Sequence, residues 1–198
     1  DGHVNGMLSR LFDKAMAVGK RVRTETALNK GAVSVGSAAV ELAESTIGTL
    51  EGKGVTILGA GDIASVIAKN LVGKNLGAVV VSNRTYSRAI ELADELGGKA
   101  VSMARITDAV ADSDVVLVAT GAPHAVLKEC HVSEAMARRP DRPLMIIDVS
   151  IPRNTEDSVK DIPNVRVENM DSLETIAMRN AERRRNEISS AEKIITEE

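Results

Sequence analysis

Val55-Thr56-Ile57-Leu58-Gly59-Ala60-Gly61-Asp62-Ile63-Ala64 decides the fold of this chain. Four residues that favour strand run into a glycine-rich turn, then into a segment where Ile63, Val66, Ile67 and Leu71 share one helical face. A strand that enters a helix through Gly-x-Gly-x-x-Ala is the setting in which such a turn holds the diphosphate of a dinucleotide. In this reading Gly59 permits the tight turn and Gly61 lets a pyrophosphate approach the backbone. Ala64 lets the helix pack closely on the strand, and Ala60 and Ile63 complete the turn. The first helical N–H groups, with the partial positive charge of the helix end, then face the phosphates. Asp62 is an awkward neighbour for a pyrophosphate; it belongs to the turn but is expected to face solvent near the helix N-terminus, without phosphate contact.

Outward from this turn, strand and helix signals alternate. Ala78-Val79-Val80-Val81 is followed by a helical stripe of Ala89, Ile90, Ala93 and Leu96, then by a weaker strand near Lys99–Met103 and a helical turn with Ile106, Ala109 and Val110. Val115-Val116-Leu117-Val118 and Leu144-Met145-Ile146-Ile147 are continuous apolar runs, the pattern of strands buried on both faces. Val165-Arg166-Val167 reads as the last strand. The alternation predicts an α/β fold: a doubly wound, Rossmann-like parallel sheet with strand order 3-2-1-4-5-6.

Two helical zones flank it. In residues 1–50 Met7, Leu8, Leu11, Phe12, Ala15 and Val18 form one stripe, which Gly19 and the basic cluster Lys20, Arg21 and Arg23 are expected to end. A loop is expected from Thr24 to Gly31, then a second helix capped by Ser34 and closed near Gly48. Neither helix has an evident core of its own. Residues 51–170 carry the sheet, and 171–198 read as one long helix of about 40 Å at 1.5 Å per residue. In that helix Leu173, Ile176 and Ala177 start an apolar face and Ile188, Ala191 and Ile195 resume it, with Asn180 and Arg184 between.

Composition narrows the function. Hydrophobic residues make up 43% of the 198, with one Tyr, one Phe and no Trp, so the core is aliphatic. With 25 Lys and Arg against 28 Asp and Glu, the net charge of −3 argues against a general nucleic-acid or anionic-membrane binder. No apolar run approaches the roughly 20 residues of a membrane span. The single cysteine, Cys130, excludes an internal disulfide framework and suits a reducing compartment, so a cytoplasmic location is expected. His3, His124 and His131 lack metal-ligand spacing, and no metal site is expected.

The tip of the second strand, Ser82-Asn83-Arg84-Thr85, bears on the choice of nucleotide. A site for NAD usually places Asp or Glu here, about 20 residues past the glycine-rich turn, to accept from the ribose 2′-OH. Here there is a guanidinium with hydroxyl and amide donors, which suits a 2′-phosphate and favours NADP (NADPH). Thr85 also stands where it would cap the next helix. After the fourth strand, Ala119-Thr120-Gly121-Ala122-Pro123 forces a turn, and the backbone of Thr120 and Gly121 is expected beside the nicotinamide ribose. Asp148, at the end of the fifth strand, fits either a turn-orienting role or one at the nicotinamide end. No catalytic group is evident.

These blocks together resemble glutamyl-tRNA reductase. The resemblance is carried by Val18-Gly19-Lys20-Arg21-Val22-Arg23-Thr24-Glu25-Thr26, Gly31-Ala32-Val33-Ser34-Val35, the turn Gly59–Ala64, Ser82–Ala89, Ala119–His124, and Ile147-Asp148-Val149-Ser150-Ile151-Pro152-Arg153. It covers essentially the whole chain. Ala64, where the family often has Gly, and Asp62, where it often has Glu, are mild departures. The resemblance implies an enzyme of three parts: a catalytic domain with a reactive cysteine, this NADPH domain, and a dimerisation domain on a long spinal helix. It implies reduction of the glutamyl ester of glutamyl-tRNA to glutamate-1-semialdehyde, at the entry to tetrapyrrole (porphyrin) synthesis. The partners implied are glutamyl-tRNA, a second subunit and glutamate-1-semialdehyde aminomutase. The cysteine motif is absent here, so the chain is expected to be a piece that binds NADPH without turnover. Two other readings stand beside this one: an NADP oxidoreductase domain related to shikimate dehydrogenase, and a non-catalytic NADP-binding regulatory module.

Overall fold

A computed structural model describes residues 6–26 and 34–197. Its contacts divide the chain into two units, Ser34–Ile176 and a helical unit built from the two ends, Asp1–Val33 with Ala177–Glu198. The expected loop that ends at Gly31 lies largely outside the described residues.

The larger unit holds six strands: β1 (Gly54–Leu58), β2 (Ala78–Ser82), β3 (Lys99–Val101), β4 (Val115–Val118), β5 (Leu144–Asp148) and β6 (Val165–Asn169). All pair in parallel, in the order β3-β2-β1-β4-β5-β6, as the alternating pattern predicts. Six helices accompany them in the chain: α2 (Val35–Ile47), α3 (Asp62–Leu71), α4 (Tyr86–Glu95), α5 (Ile106–Asp112), α6 (Glu129–Ala137) and α7 (Met170–Glu197), the last passing into the other unit. β3 is shorter than the sequence suggests, because Met103–Arg105 turn into a 3-10 segment whose cap is the Ser102 hydroxyl.

The core is aliphatic. Leu58, Val116, Val118, Leu144 and Ile146 pack with Ile106, Val110, Leu127, Val132, Ala135, Met136 and Val159. Each Leu, Ile, Val or Met among them, fully buried, contributes about 1.5–3 kcal/mol before conformational entropy is subtracted. β1, β4 and β5 are buried along their whole length, which explains their unbroken apolar runs.

Two helical stripes turn out rotated from those expected. α3 buries Ala64, Ile67, Ala68 and Leu71, leaving Ile63 and Val66 substantially exposed, and α4 buries Ala89, Leu92 and Ala93 while Ile90 is exposed. Alanine does the close packing in both. α2 lies against α3, and Gly36 sits so near the Val66 carbonyl that a Cβ there would stand 2.6 Å from its oxygen. Ser34 and Ser37 form a reciprocal capping box at the start of α2, and Gly48 (φ 81°) closes it, as expected.

At the amino edge of the sheet two side chains tie the strand starts together. Asp114 accepts from the Gly54 N–H (2.9 Å) and from Arg142 Nε (2.8 Å). Arg139, buried, donates to the carbonyls of Val110 and Ala111 (both 3.2 Å), Ser113, Arg142 (3.1 Å) and Pro143 (2.8 Å).

In the smaller unit α1 spans Gly6–Glu25, running through Gly19 rather than ending there. A Cβ at Gly19 would meet nothing within 4 Å. An interior glycine costs only about 1 kcal/mol relative to Ala, and Arg21 pairs with Glu25 at 3.0 Å one turn on. Along α7 the buried positions include Asn180, Ala191 and Ile194, whereas Ile188 and Ile195 are exposed. The face therefore continues through Asn180, and the isoleucines expected to resume it look outward.

Candidate functional site

The register places five residues in one row across the carboxyl edge. Leu58 is level with Ser82 and Val118, Val118 with Asp148, and Asp148 with Asn169. Every loop that carries a predicted site residue leaves the sheet beyond this row, and the strand order reverses direction between β1 and β4. In open α/β sheets that is where ligands bind.

The turn after β1 has the form its sequence requires. Gly59 is buried with φ at 118°, in the region that glycine alone adopts readily. Its N–H donates to the Ser82 carbonyl (2.8 Å), and the Ala119 N–H donates to the Leu58 carbonyl (2.8 Å). The chain leaving β4 thus crosses directly over Gly59. Ala60 is half-buried, and Gly61 occupies the N-cap of α3 with open space where a Cβ would be. No side chain caps α3. Asp62, its first residue, is exposed as expected, Ile63 is exposed, and Ala64 is fully buried. A helix N-terminus with uncapped N–H donors and open space beside them offers an anionic group what it needs, with the Asp62 carboxylate the opposing charge in the first turn.

At the tip of β2, Ser82 is buried and its hydroxyl donates to Met103 Sδ (3.0 Å), so it holds the strand end rather than facing solvent. Asn83 is half-buried and folds its amide onto the Thr85 carbonyl (3.1 Å). Arg84 is exposed and makes no hydrogen bond or ion pair among the described residues. Thr85 stands at the N-cap of α4, but its hydroxyl makes no cap bond, so the expected capping role is not realised.

Beyond β4, Thr120 and Gly121 lie beside the loop that follows β5. The Thr120 N–H donates to Ser150 Oγ (3.1 Å), its hydroxyl bonds Asn154 Oδ1, and the Ala122 N–H returns to Thr120 Oγ1 (3.1 Å). Gly121 is exposed with open space around it. Asp148 orients a turn. Its buried carboxylate accepts from the N–H groups of Ser150 (2.9 Å), Asn154 (2.8 Å) and Thr155 (2.7 Å), closing the loop around the cis Ile151–Pro152 bond. A cavity of about 320 Å³ opens beside it, lined by Ser150, Arg153, Asn169 and Glu174 among others. Ser150 and Asn154 escape sequence reading. The one signal for them is a run of Asp, Ser, Asn and Thr at a strand end, which marks a side-chain-stabilised turn without saying what it holds.

Among the described residues no group of His, Cys, Asp and Glu could hold a metal ion, and no helix is long and apolar enough to cross a membrane. Cys130 is exposed in the first turn of α6, a helix for which the sequence reading has no counterpart.

Residues 41–176 match the family model described as shikimate / quinate 5-dehydrogenase. The chain belongs to this family. Similarity to glutamyl-tRNA reductases runs through the whole chain, as the quoted blocks suggest. A curated glutamyl-tRNA reductase of Methanopyrus kandleri is 48% identical over 198 residues, all of this chain and 49% of that protein. The solved structure titled glutamyl-tRNA reductase from Methanopyrus kandleri superposes with a TM-score of 0.93 at 48% identity, covering 99% of this chain and 49% of that one. The nucleotide-binding domain of the Thermoplasma volcanium glutamyl-tRNA reductase shares the fold, with a TM-score of 0.60 at 22% identity over 78% of this chain and 99% of that one. This family member spans about half the length of the curated relatives it matches.

Proposed function

We propose that this chain binds NADPH across the carboxyl edge of its sheet and holds it as hydride donor in a glutamyl-tRNA reductase. The observation that carries the reading is a pairing: an uncapped α3 N-terminus entered through Gly59 and Gly61, and a guanidinium, Arg84, at the tip of the adjoining strand with no partner among the described residues. The diphosphate lies on the turn from Gly59 to Ala64, where backbone N–H groups neutralise part of its charge. Arg84, with Ser82, Asn83 and Thr85 around it, receives the 2′-phosphate by charge-assisted hydrogen bonds that an unphosphorylated ribose would not make. The backbone of Thr120 and Gly121 lies beside the nicotinamide ribose.

The reaction is reduction of the glutamyl ester of glutamyl-tRNA to glutamate-1-semialdehyde, for tetrapyrrole synthesis in the cytoplasm. Glutamyl-tRNA, a second subunit and the aminomutase that consumes the product are its partners. The chain alone binds cofactor without turnover, because hydride transfer needs the acyl carbon held within near-attack distance of the nicotinamide. The one cysteine, Cys130, has neither a base nor an oxyanion scaffold evident around it in the sequence.

Titration calorimetry tests the binding. Heat saturating with NADPH at micromolar concentrations, and much weaker heat with NADH, is the expected result. No heat at millimolar NADPH removes the reading, and glutamyl-tRNA-dependent oxidation of NADPH by the isolated chain removes the claim that it lacks turnover. The family description favours a second reading, oxidation of shikimate or quinate, which predicts reduction of NADP+ on adding either compound.

A further inference from the structure

We infer that Asn154 is a positioning residue that sets the loop after β4 for the nicotinamide half of the dinucleotide. The inference rests on the cofactor reading above and concerns a residue outside the glycine-rich turn. Among the described residues, no backbone–backbone hydrogen bond holds the segment Thr120–His124. Its shape is set from the other loop. Asn154 is completely buried, and its Nδ2 donates to the carbonyls of Ala122 (2.9 Å) and His124 (2.9 Å) while its Oδ1 accepts from the Thr120 hydroxyl. One planar amide thus holds three points of a five-residue loop. The rest of Asn154 is fixed as well. Its N–H donates to Asp148 (2.8 Å), and its carbonyl accepts from Val126 (2.7 Å) and Leu127 (2.9 Å). Asp148 is the last residue of β5, so the amide is referenced to the sheet itself.

No isostere of the amide keeps both its donors and its acceptor. Aspartate keeps the acceptor for Thr120 but turns a lone pair toward two carbonyl oxygens, and alanine leaves those carbonyls and the Thr120 hydroxyl without their partner in a buried place. In either case the carbonyls of Ala122 and His124 lose their donor, and the loop that carries Gly121 is no longer held on that side. The turn from Gly59 to Ala64 and the β2 tip at Arg84 share none of the Asn154 partners, so the adenosine half keeps its own supports.

The test compares NADPH with adenosine 2′,5′-bisphosphate, which carries the 2′-phosphate but no nicotinamide, on the wild-type chain, Asn154→Ala and Asn154→Asp. Both variants should bind NADPH about tenfold more weakly, the size expected when a buried hydrogen-bonded set is broken. Their affinity for the bisphosphate should stay within about twofold, since its contacts lie more than one loop away. Unchanged NADPH affinity in Asn154→Ala, or full recovery in Asn154→Asp, overturns the inference. So does an equal loss of both ligands, which would make Asn154 a general support of the domain. A wild-type chain that binds neither ligand fails the cofactor reading first, and the inference with it.

Discussion

A Cβ placed on Gly59 would stand 2.7 Å from the carbonyl carbon of Ala119 and closer still to its oxygen. The contact joins the first and fourth strands at the point where the strand order reverses, and both partners are backbone, so neither has a side chain that can move aside. Gly59→Ala must therefore shift the chain leaving β4 while forcing a φ of 118° on a residue with a Cβ. We expect a stability loss of about 2–5 kcal/mol, or roughly 5–15 °C in Tm. A melting curve indistinguishable from wild type would mean that the turn is free to reshape.

Arg84→Ala should weaken NADPH by about 10–100-fold, the range for losing a hydrogen-bonded charge to a phosphate. NADH, which has no 2′-phosphate, should lose less than about threefold. Equal losses for the two nucleotides in parallel titrations would remove Arg84 from the 2′-phosphate site.

Arg139→Met should destabilise the chain by about 2–4 kcal/mol in urea, because it leaves several buried carbonyls without a donor. Arg139→Lys should recover little, since an ammonium cannot reach the divergent carbonyls that the guanidinium spans. Burial lowers the affinity of this guanidinium for its proton, and the nearby charge of Arg142 adds to that effect, against the attraction of Asp114 and Asp112. Nucleotide affinity should not change.

Asp114 should resist protonation by acid and contribute stability until late in an acid titration. Partial burial pushes its carboxyl up, but the Arg142 hydrogen bond and the Gly54 N–H outweigh burial, and the net shift is downward. A carboxyl with a depressed folded-state pKa contributes stability that is fully present above its unfolded value, near 4, and is lost as pH falls through the folded one. Urea midpoints measured from pH 7 to pH 2.5 should therefore decline below about pH 4 in the wild type and decline less in Asp114→Asn. Parallel curves would show that the pair with Arg142 contributes nothing.

Much of this was legible in the sequence because parallel strands buried on both faces leave continuous apolar runs. Val115–Val118 could be read as the neighbour of β1, and Leu144–Ile147 as the next strand beyond it, from local pattern and crossover handedness alone. The turn at Gly59 was legible because its neighbours in the chain supply its context. Helix orientation was not. Ile63, Val66 and Ile90 satisfy a 3.6-residue period as well as Ala64, Ala68 and Leu92 do, and only the approach of the neighbouring elements decides which arc is covered. The run of α1 through Gly19 was hidden for a related reason, since a glycine in a helix is a cost of about 1 kcal/mol and not a prohibition. The Asp148–Asn154–Thr120 network was out of reach because its hydrogen bonds join residues as many as 34 positions apart, between two loops with no periodicity.

Arg139 and Arg142 grip the beginnings of the strands, while Arg84 waits at the opposite rim. Substitutions at distant sites with no common neighbours add almost independently. A redesign that trades one nicotinamide coenzyme for the other at Arg84 alone should therefore leave heat tolerance unchanged. If the proposed nucleotide site holds, sturdiness and coenzyme preference are separately adjustable.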